Sequence, residues 1–420
     1  MNSIHLKSRI VEIAKNLGIS DHQLPLELSN PPVAHLAEEQ CTLIKADNLT
    51  ALSWLLDQNK RDIDFCYIDP PYNTGSTFVY HDKRQAKSAS IWSKHHDWLA
   101  FMLPRLVATQ LLLADDGVIA ISIDDYEYPY LKILMDSVFG ENNYIATLVV
   151  CRSKNGKGSK ANVAVNHEYV LLYGKSEQST LRGVEDQDLE KYNKEDEHGR
   201  FTIDGLFRKK GDASKREDRP NMFYPLYYSQ DGKVYASKIS EDLREAWPVD
   251  SKGAERRWLW GPEKAQSESW KLYASPKGVI YVKNYSAPNK RIKIRSILDK
   301  PEYLNDRASR EVKSIFGERV FETPKPINLI MDLIDCCSSP EATVLDYFAG
   351  TGTTAHACHL LNKNKSANRK CILVEHNHFI NKSHTANAAG FKTTADITEF
   401  RLNKLSEDDQ SFNFSTQEIE

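Results

Sequence analysis

Two short segments hold residue types that can do chemistry. The first, Asp69-Pro70-Pro71-Tyr72-Asn73, closes the apolar run Asp64-Phe65-Cys66-Tyr67-Ile68. Pro70 and Pro71 fix φ and lack N–H groups, which makes a stiff turn whose carbonyls are acceptors. Asp69 adds a charged acceptor, and Tyr72 adds a flat face on which a base can stack. A carboxylate and a carbonyl converging on one amino group bind both of its protons. That favours a pyramidal nitrogen and localises a lone pair otherwise delocalised into an aromatic ring. The amino group then becomes a nucleophile without an enzyme-bound intermediate. A bare Asp-Pro-Pro is also an ordinary strand stop, with Asp capping a helix, so its weight depends on what accompanies it.

What accompanies it is Val344-Leu345-Asp346-Tyr347-Phe348-Ala349-Gly350-Thr351-Gly352-Thr353-Thr354, a strand running into a helix start. Gly350 and Gly352 allow positive φ and close approach of backbone to a ligand. The Thr353 hydroxyl is placed to cap the helix, whose free N–H groups favour an electron-rich ligand. With Ala355, the looser dinucleotide pattern GxGxxA is formally met, so a nicotinamide or flavin cofactor stays open here. The turn lacks the Lys of a phosphate-cradling loop, which argues against ATP. Glu375 ends the next apolar run, Cys371-Ile372-Leu373-Val374, where an acid can hydrogen-bond ribose hydroxyls. Turn and acid together point to an adenosine-containing ligand without choosing which.

Both segments need a scaffold that presents strand ends. From 41 to 150, short apolar strands alternate with helices: 64–68, a helical stretch at 98–113, strand 118–123, a helix at 130–138 closed by Gly140. The rhythm resumes after 325 with helix 327–336, strand 343–348, helix 353–361 and strand 370–375. This pattern predicts an α/β core with a mostly parallel, Rossmann-like sheet covered on both faces. Five segments follow: 1–40 helical, 41–150 the catalytic half, 151–320 an inserted α+β region, 321–405 the cofactor half, and 406–420 a flexible tail.

Composition bounds the function. The chain has 420 residues with 55 Lys+Arg against 58 Asp+Glu, a net charge of −3. No apolar run reaches membrane-spanning length, and no secretory signal is evident, so the expectation is a cytoplasmic protein. Seven cysteines, an odd count without CxxC spacing, argue for reduced thiols and against a zinc site or other metal centre. The balance of charge is misleading: residues 151–330 hold 35 basic and 27 acidic residues, net +8, leaving −11 elsewhere.

The pairing of Asp69-Pro70-Pro71-Tyr72-Asn73-Thr74-Gly75 with Phe348-Ala349-Gly350-Thr351-Gly352-Thr353-Thr354 resembles the DNA amino-methyltransferases that use S-adenosylmethionine. The catalytic motif precedes the insert and the cofactor motif follows it, the β-group order. Longer tracts around Trp98–Leu106, Asp116–Asp125, His167–Tyr173, Pro324-Lys325-Pro326 and Ala395–Thr398 resemble the modification subunits of type III restriction–modification systems. The resemblance implies that Asp69 and the Pro70 carbonyl hold the target amino group, with Pro71 shaping the turn and Tyr72 stacking on a flipped base. It implies that Phe348, Gly350, Gly352 and Thr353 line the methionine and ribose part of S-adenosylmethionine. Asp69, Asp346 and Thr354 belong to the same cofactor set, Lys325 and Pro326 lie beside the cofactor's carboxylate, and Glu375 takes the ribose. Asp47 matches the position that reads the adenine amino group, though by itself it is a helix cap. Asp at the first motif position implies N6 of adenine, with N4 of cytosine as the alternative. The chain is short for a type III subunit and has no Walker loop or nuclease motif. The resemblance therefore leaves open a solitary enzyme or one with a motor–nuclease partner, and it implies a homodimer.

Double-stranded DNA is the expected partner, read by the insert. Lys290-Arg291-Ile292-Lys293-Ile294-Arg295 would place Arg291, Lys293 and Arg295 on one strand face, suiting phosphates. Arg256 and Arg257, beside Trp258, would reach base edges. Lys157 and Lys160 sit in a glycine-containing basic loop. Competing readings are methylation of RNA or of a protein glutamine, and a DNA-specificity subunit that has lost methylation.

Overall fold

The computed structural model describes residues 3–20, 24, 39–58, 60–73, 93–154, 162–186 and 188–419. The chain divides into two compact units, one formed by residues 1–184 and 293–420 and the other by 185–292.

The larger unit is built on one nine-stranded sheet. Its strands in chain order are β1 (Cys41–Lys45), β2 (Ile63–Ile68), β3 (Leu113–Ile123), β4 (Tyr144–Cys151), β5 (His167–Gly174), β6 (Ile297–Leu298), β7 (Thr343–Asp346), β8 (Lys370–Glu375) and β9 (Phe414–Glu418). Across the sheet the order is β6-β4-β5-β3-β2-β7-β8-β1-β9. Pairing is parallel except that β5 runs antiparallel to both β3 and β4. The two halves of the core, far apart in sequence, join where Phe65 and Cys66 of β2 pair with Val344 and Leu345 of β7.

The apolar runs reflect burial on both faces. Ile63, Cys66 and Ile68 of β2 face one core with helices α1 (Ser3–Asn16), α2 (Asn48–Asp57), α3 (Ser93–Leu112) and α4 (Tyr128–Phe139). Phe65 and Tyr67 face the other, with α6 (Ile327–Cys337), α7 (Thr353–Lys365) and α8 (Thr394–Asp408). Helix α5 (Asn305–Phe316) carries Val312 into a smaller cluster with Ile397 of α8. A strand buried on both faces is apolar at successive positions, which is why 65–68 read as a run and not as alternation.

Two boundaries differ from the sequence reading. Strands β4, β5 and β6 belong to the main sheet, so the separate unit spans 185–292 and not 151–320. The tail is not loose: β9 pairs in parallel with β1 from Cys41↔Phe414 to Lys45↔Glu418, and Phe412 is buried. Its polar residues masked a sheet-edge strand, which needs only one apolar face.

The smaller unit is mainly antiparallel β-structure, with strands 194–196, 199–206, 272–274 and 280–285 in one sheet and 226–228, 234–235 and 244–246 in another. Its core gathers Phe207, Leu226, Trp258, Leu272 and Ile280, with Phe207 and Trp258 stacked at 5.3 Å. The two ends of the unit meet, because the Asp186 N–H donates to the Lys290 carbonyl at 2.8 Å.

Candidate active site

Four neighbouring parallel strands each deliver a carboxylate at or just beyond their carboxyl ends. In sheet order these are Asp69 after β2, Asp346 at the end of β7, Glu375 at the end of β8 and Asp47 after β1. All four line one cleft, together with Phe101, Phe321, Pro324, Lys325, Phe348, Gly350, Thr351, Thr353, Thr354 and the pair His376 and His378. Open α/β sheets bind ligands at this edge because only there do several loops converge.

The glycine turn is held by side chains from both flanks. Gly350 has φ +54° and Gly352 φ +75°, a region that penalises residues with a Cβ. A Cβ on Gly350 would lie 3.3 Å from the Phe321 ring, and one on Gly352 would lie 3.3 Å from the Thr398 methyl. Asp346 accepts from the Phe348 N–H at 3.0 Å and from the Thr354 hydroxyl at 2.5 Å. Glu375 accepts from the Gly350 N–H at 2.7 Å, and the Thr398 hydroxyl donates to the Gly350 carbonyl at 2.7 Å. Arg401, buried in α8, donates to the hydroxyls of Thr351 at 3.0 Å and Thr353 at 2.9 Å. Thr353 is therefore not the helix cap expected from sequence: Gly352 occupies that position and the hydroxyl serves the arginine. Burial pushes both Asp346 and Glu375 up to about 7, against the lowering effect of their hydrogen bonds.

Asp47 caps α2, accepting from Leu49 and Thr50, and it also meets Arg105 of α3 at 3.3 Å. The ordinary helix-capping role and a place in the cleft thus coincide.

The Asp69 turn is clamped from three sides. Trp98 of α3 donates its indole N–H to the Pro71 carbonyl at 2.6 Å. Asn73, at φ +55°, donates to the buried Glu127 at 2.7 Å, and His95 lies 2.7 Å from the same oxygen. Tyr72 donates its hydroxyl to Asp69 Oδ1 at 2.7 Å. Lys325 Nζ completes the group, 3.0 Å from Asp69 Oδ1, 2.8 Å from the Tyr72 hydroxyl and 3.4 Å from Glu168 of β5. Burial and the neighbouring Asp69 push the Tyr72 hydroxyl far up, so it stays a donor.

A DNA methylase family model matches residues 63–386, from β2 past β8, and so takes in the Asp69 turn, the glycine turn and Glu375. The chain belongs to this DNA methylase family. It is 48% identical to the type II methyltransferase M.KpnI of Klebsiella pneumoniae, over 98% of this chain and 99% of that protein. It is 34% identical to the EcoPI Mod subunit of a type III restriction–modification enzyme from Escherichia phage P1, over 89% of this chain. For the StyLTI Mod subunit of Salmonella typhimurium the identity is 32%, over 89% of this chain. The chain spans 65% and 59% of those two Mod subunits, which matches its shortness relative to the type III pattern.

Against this DNA methylase frame, some sequence expectations change. Lys325, expected beside the cofactor's carboxylate, lines the cleft and also sits on Asp69, Tyr72 and Glu168. Pro324, not Pro326, lines the cleft, since Pro326 is the residue before α6. Arg257 is buried, donating to the carbonyls of Ala213 at 2.6 Å and Trp258 at 3.3 Å, so it is not a base-reading side chain. Trp258 is a core residue whose indole donates to the Tyr224 carbonyl. Arg256 pairs with Asp250 at 2.9 Å, and Lys290 donates to the Tyr285 carbonyl at 2.6 Å. Only Arg291 and Ile292 of the cationic run form a strand; Lys293 and Arg295 are exposed beyond it. Lys157 and Lys160 lie outside the described residues. The unit 185–292 carries 21 basic and 19 acidic residues, so the excess of +8 counted over 151–330 lies mostly outside it.

Sequence reasoning passed over Glu168, Glu127, Thr398 and Arg401. Glu168 follows His167 at the start of a strand that is otherwise apolar, and Arg401 lies four residues after the buried Ile397 on α8. A charged residue at a core position was the available signal, because burial of charge without partners is too costly to persist.

Proposed function

We propose that this protein transfers a methyl group from S-adenosylmethionine to the N6 amino group of adenine in duplex DNA. A place in a restriction–modification system of the type II kind is part of this reading, because the relative named as a type II methyltransferase matches over nearly its whole length. The observation that carries the reading is the delivery of Asp69 and the glycine turn by adjacent strands β2 and β7 into one cleft.

The residues suit the cofactor. Gly350 leaves room beside Phe321 that a Cβ would fill, and Glu375 is a half-buried acid fixed to the turn's backbone. Phe348, Gly350 and Thr353 would hold the methionine and ribose part, Glu375 the ribose hydroxyls and Asp47 the adenine. When bound, the cofactor supplies an electrophilic methyl group on a positively charged sulfur. Asp69 and the Pro70 carbonyl would accept hydrogen bonds from both N–H groups of the target amino group, favouring a pyramidal nitrogen whose lone pair is out of conjugation. The target base must leave the helix stack to reach them. The Pro70-Pro71 pair keeps the carbonyl in place because neither residue can rotate about φ.

Purified protein incubated with labelled S-adenosylmethionine and duplex DNA should yield N6-methyladenine on nucleoside analysis. Recovery of N4-methylcytosine alone would reject the adenine assignment, and label on RNA or protein but not DNA would reject the substrate. Homodimerisation is part of the reading, and light scattering showing a monomer on DNA would remove it.

A further inference from the structure

The cation on the catalytic turn is the feature that the activity does not explain. Lys325 has an 8% exposed side chain, and burying an ammonium costs several kcal/mol unless it is well paired. It is paired twice, with Asp69 at 3.0 Å and with Glu168 at 3.4 Å, and Glu168 is itself only 3% exposed. Burial alone would pull the ammonium's pKa down, but the two carboxylates outweigh it and the net shift is upward. Both the lysine and the Tyr72 hydroxyl contact Asp69 through Oδ1. That leaves Oδ2 as the oxygen for a substrate donor among the described residues.

We infer that Lys325 and Glu168 are positioning residues that set the charge and aim of Asp69. Lys325 holds Oδ1, and Glu168 shares the lysine, so that the ammonium is not committed to Asp69 alone. The groups facing Asp69 are Tyr72 on its own turn, Tyr67 on β2, Glu168 on β5, Lys325 ahead of α6 and Asp346 on β7. Of these only Lys325 is cationic. Its removal would leave the half-buried Asp69 and the buried Glu168 beside each other with no cation between them, which favours a proton held by the pair. This rests on the methyl-transfer reading above, but one arm of its test does not need activity.

The test compares wild type with Lys325→Met, Glu168→Gln and the double variant. In urea unfolding from pH 5 to 8, Lys325→Met should lose stability with rising pH relative to wild type, because its native state then binds a proton that the unfolded state does not. The double variant should run parallel to wild type again. This arm stands even if wild type transfers no methyl group to DNA, which would count against the activity reading alone. In methyl transfer, Lys325→Met should lower kcat about tenfold or more and move the acid limb of the pH profile up by about one unit. Glu168→Gln should lower kcat without that upward displacement, and the double variant should bring the limb back. The inference is overturned if Lys325→Met unfolds in parallel with wild type. It is also overturned if the acid limb stays in place while cofactor affinity falls by the same factor as kcat/KM, which would return Lys325 to the cofactor.

Discussion

The carboxylate of Glu375 accepts a 2.7 Å hydrogen bond from the backbone N–H of Gly350, so the end of β8 is tied to the turn that follows its neighbour β7. The same acid that is expected to meet a ribose therefore also sets the shape of the loop around it. Ligand site and loop support are one group.

This arrangement makes stability depend on pH. Glu375 and Asp346 both reach about 7 in the folded chain, above their ordinary values of 4.5 and 3.8. A raised carboxylate binds its proton more tightly when folded, so its contribution is full below the ordinary value and is lost as pH climbs toward 7. Unfolding free energy should fall between pH 5 and 7 by up to about 1 kcal/mol per pH unit for each group. Glu375→Gln should flatten that slope in urea titrations; an unaltered slope would remove Glu375 as its source.

Asp69→Ala should reduce methyl transfer by a factor of about 100 or more, since it removes the charged acceptor of the amino group. Cofactor affinity, measured by calorimetry, should change by less than about threefold, because the glycine turn is held by Asp346, Glu375 and Arg401 and not by Asp69. An equal loss in both would place Asp69 in the cofactor site instead.

Arg257→Ala should destabilise the protein by about 2–4 kcal/mol, because the Ala213 and Trp258 carbonyls lose a buried partner. By contrast, Lys293→Ala and Arg295→Ala sit on exposed side chains and should leave stability within about 0.5 kcal/mol. If they contact phosphates, each should weaken DNA binding evenly across sequences and lower the salt slope by about 1. A change of sequence preference in the Arg257 variant at full stability would reinstate that residue as a reader.

Truncation after Asp408 should lower stability by at least about 2 kcal/mol. It removes β9 from the edge of β1 and the buried Phe412 from the core. It also bares a row of β1 backbone groups, a template for aggregation. A truncated chain melting at the wild-type temperature would show that the strand adds nothing.

The parallel core was legible because the buried middles of its strands are apolar, and the strand expected over 370–375, apolar from Cys371 to Val374, corresponds to β8 residue for residue. The cleft was legible where two rigid turns carried rare residue combinations, as at Pro70-Pro71 and Gly350-Thr351-Gly352. The sequence did not reveal partnerships across the fold. Arg257 and Lys293 look alike as isolated letters, yet one is buried and the other faces solvent. The strand β9 escaped notice because an edge strand with polar residues looks like any solvated segment until β1 is beside it. The contacts of Lys325 were hidden for a related reason: its partner Glu168 lies 157 residues earlier, on an antiparallel strand that the alternating pattern did not anticipate.

The hydrogen bond from Asp186 to Lys290 closes the smaller unit at its own two ends. A module that begins and ends at one point is a cassette. It can be lengthened, shortened or exchanged for an unrelated sequence while the sheet on which methyl transfer depends keeps its register.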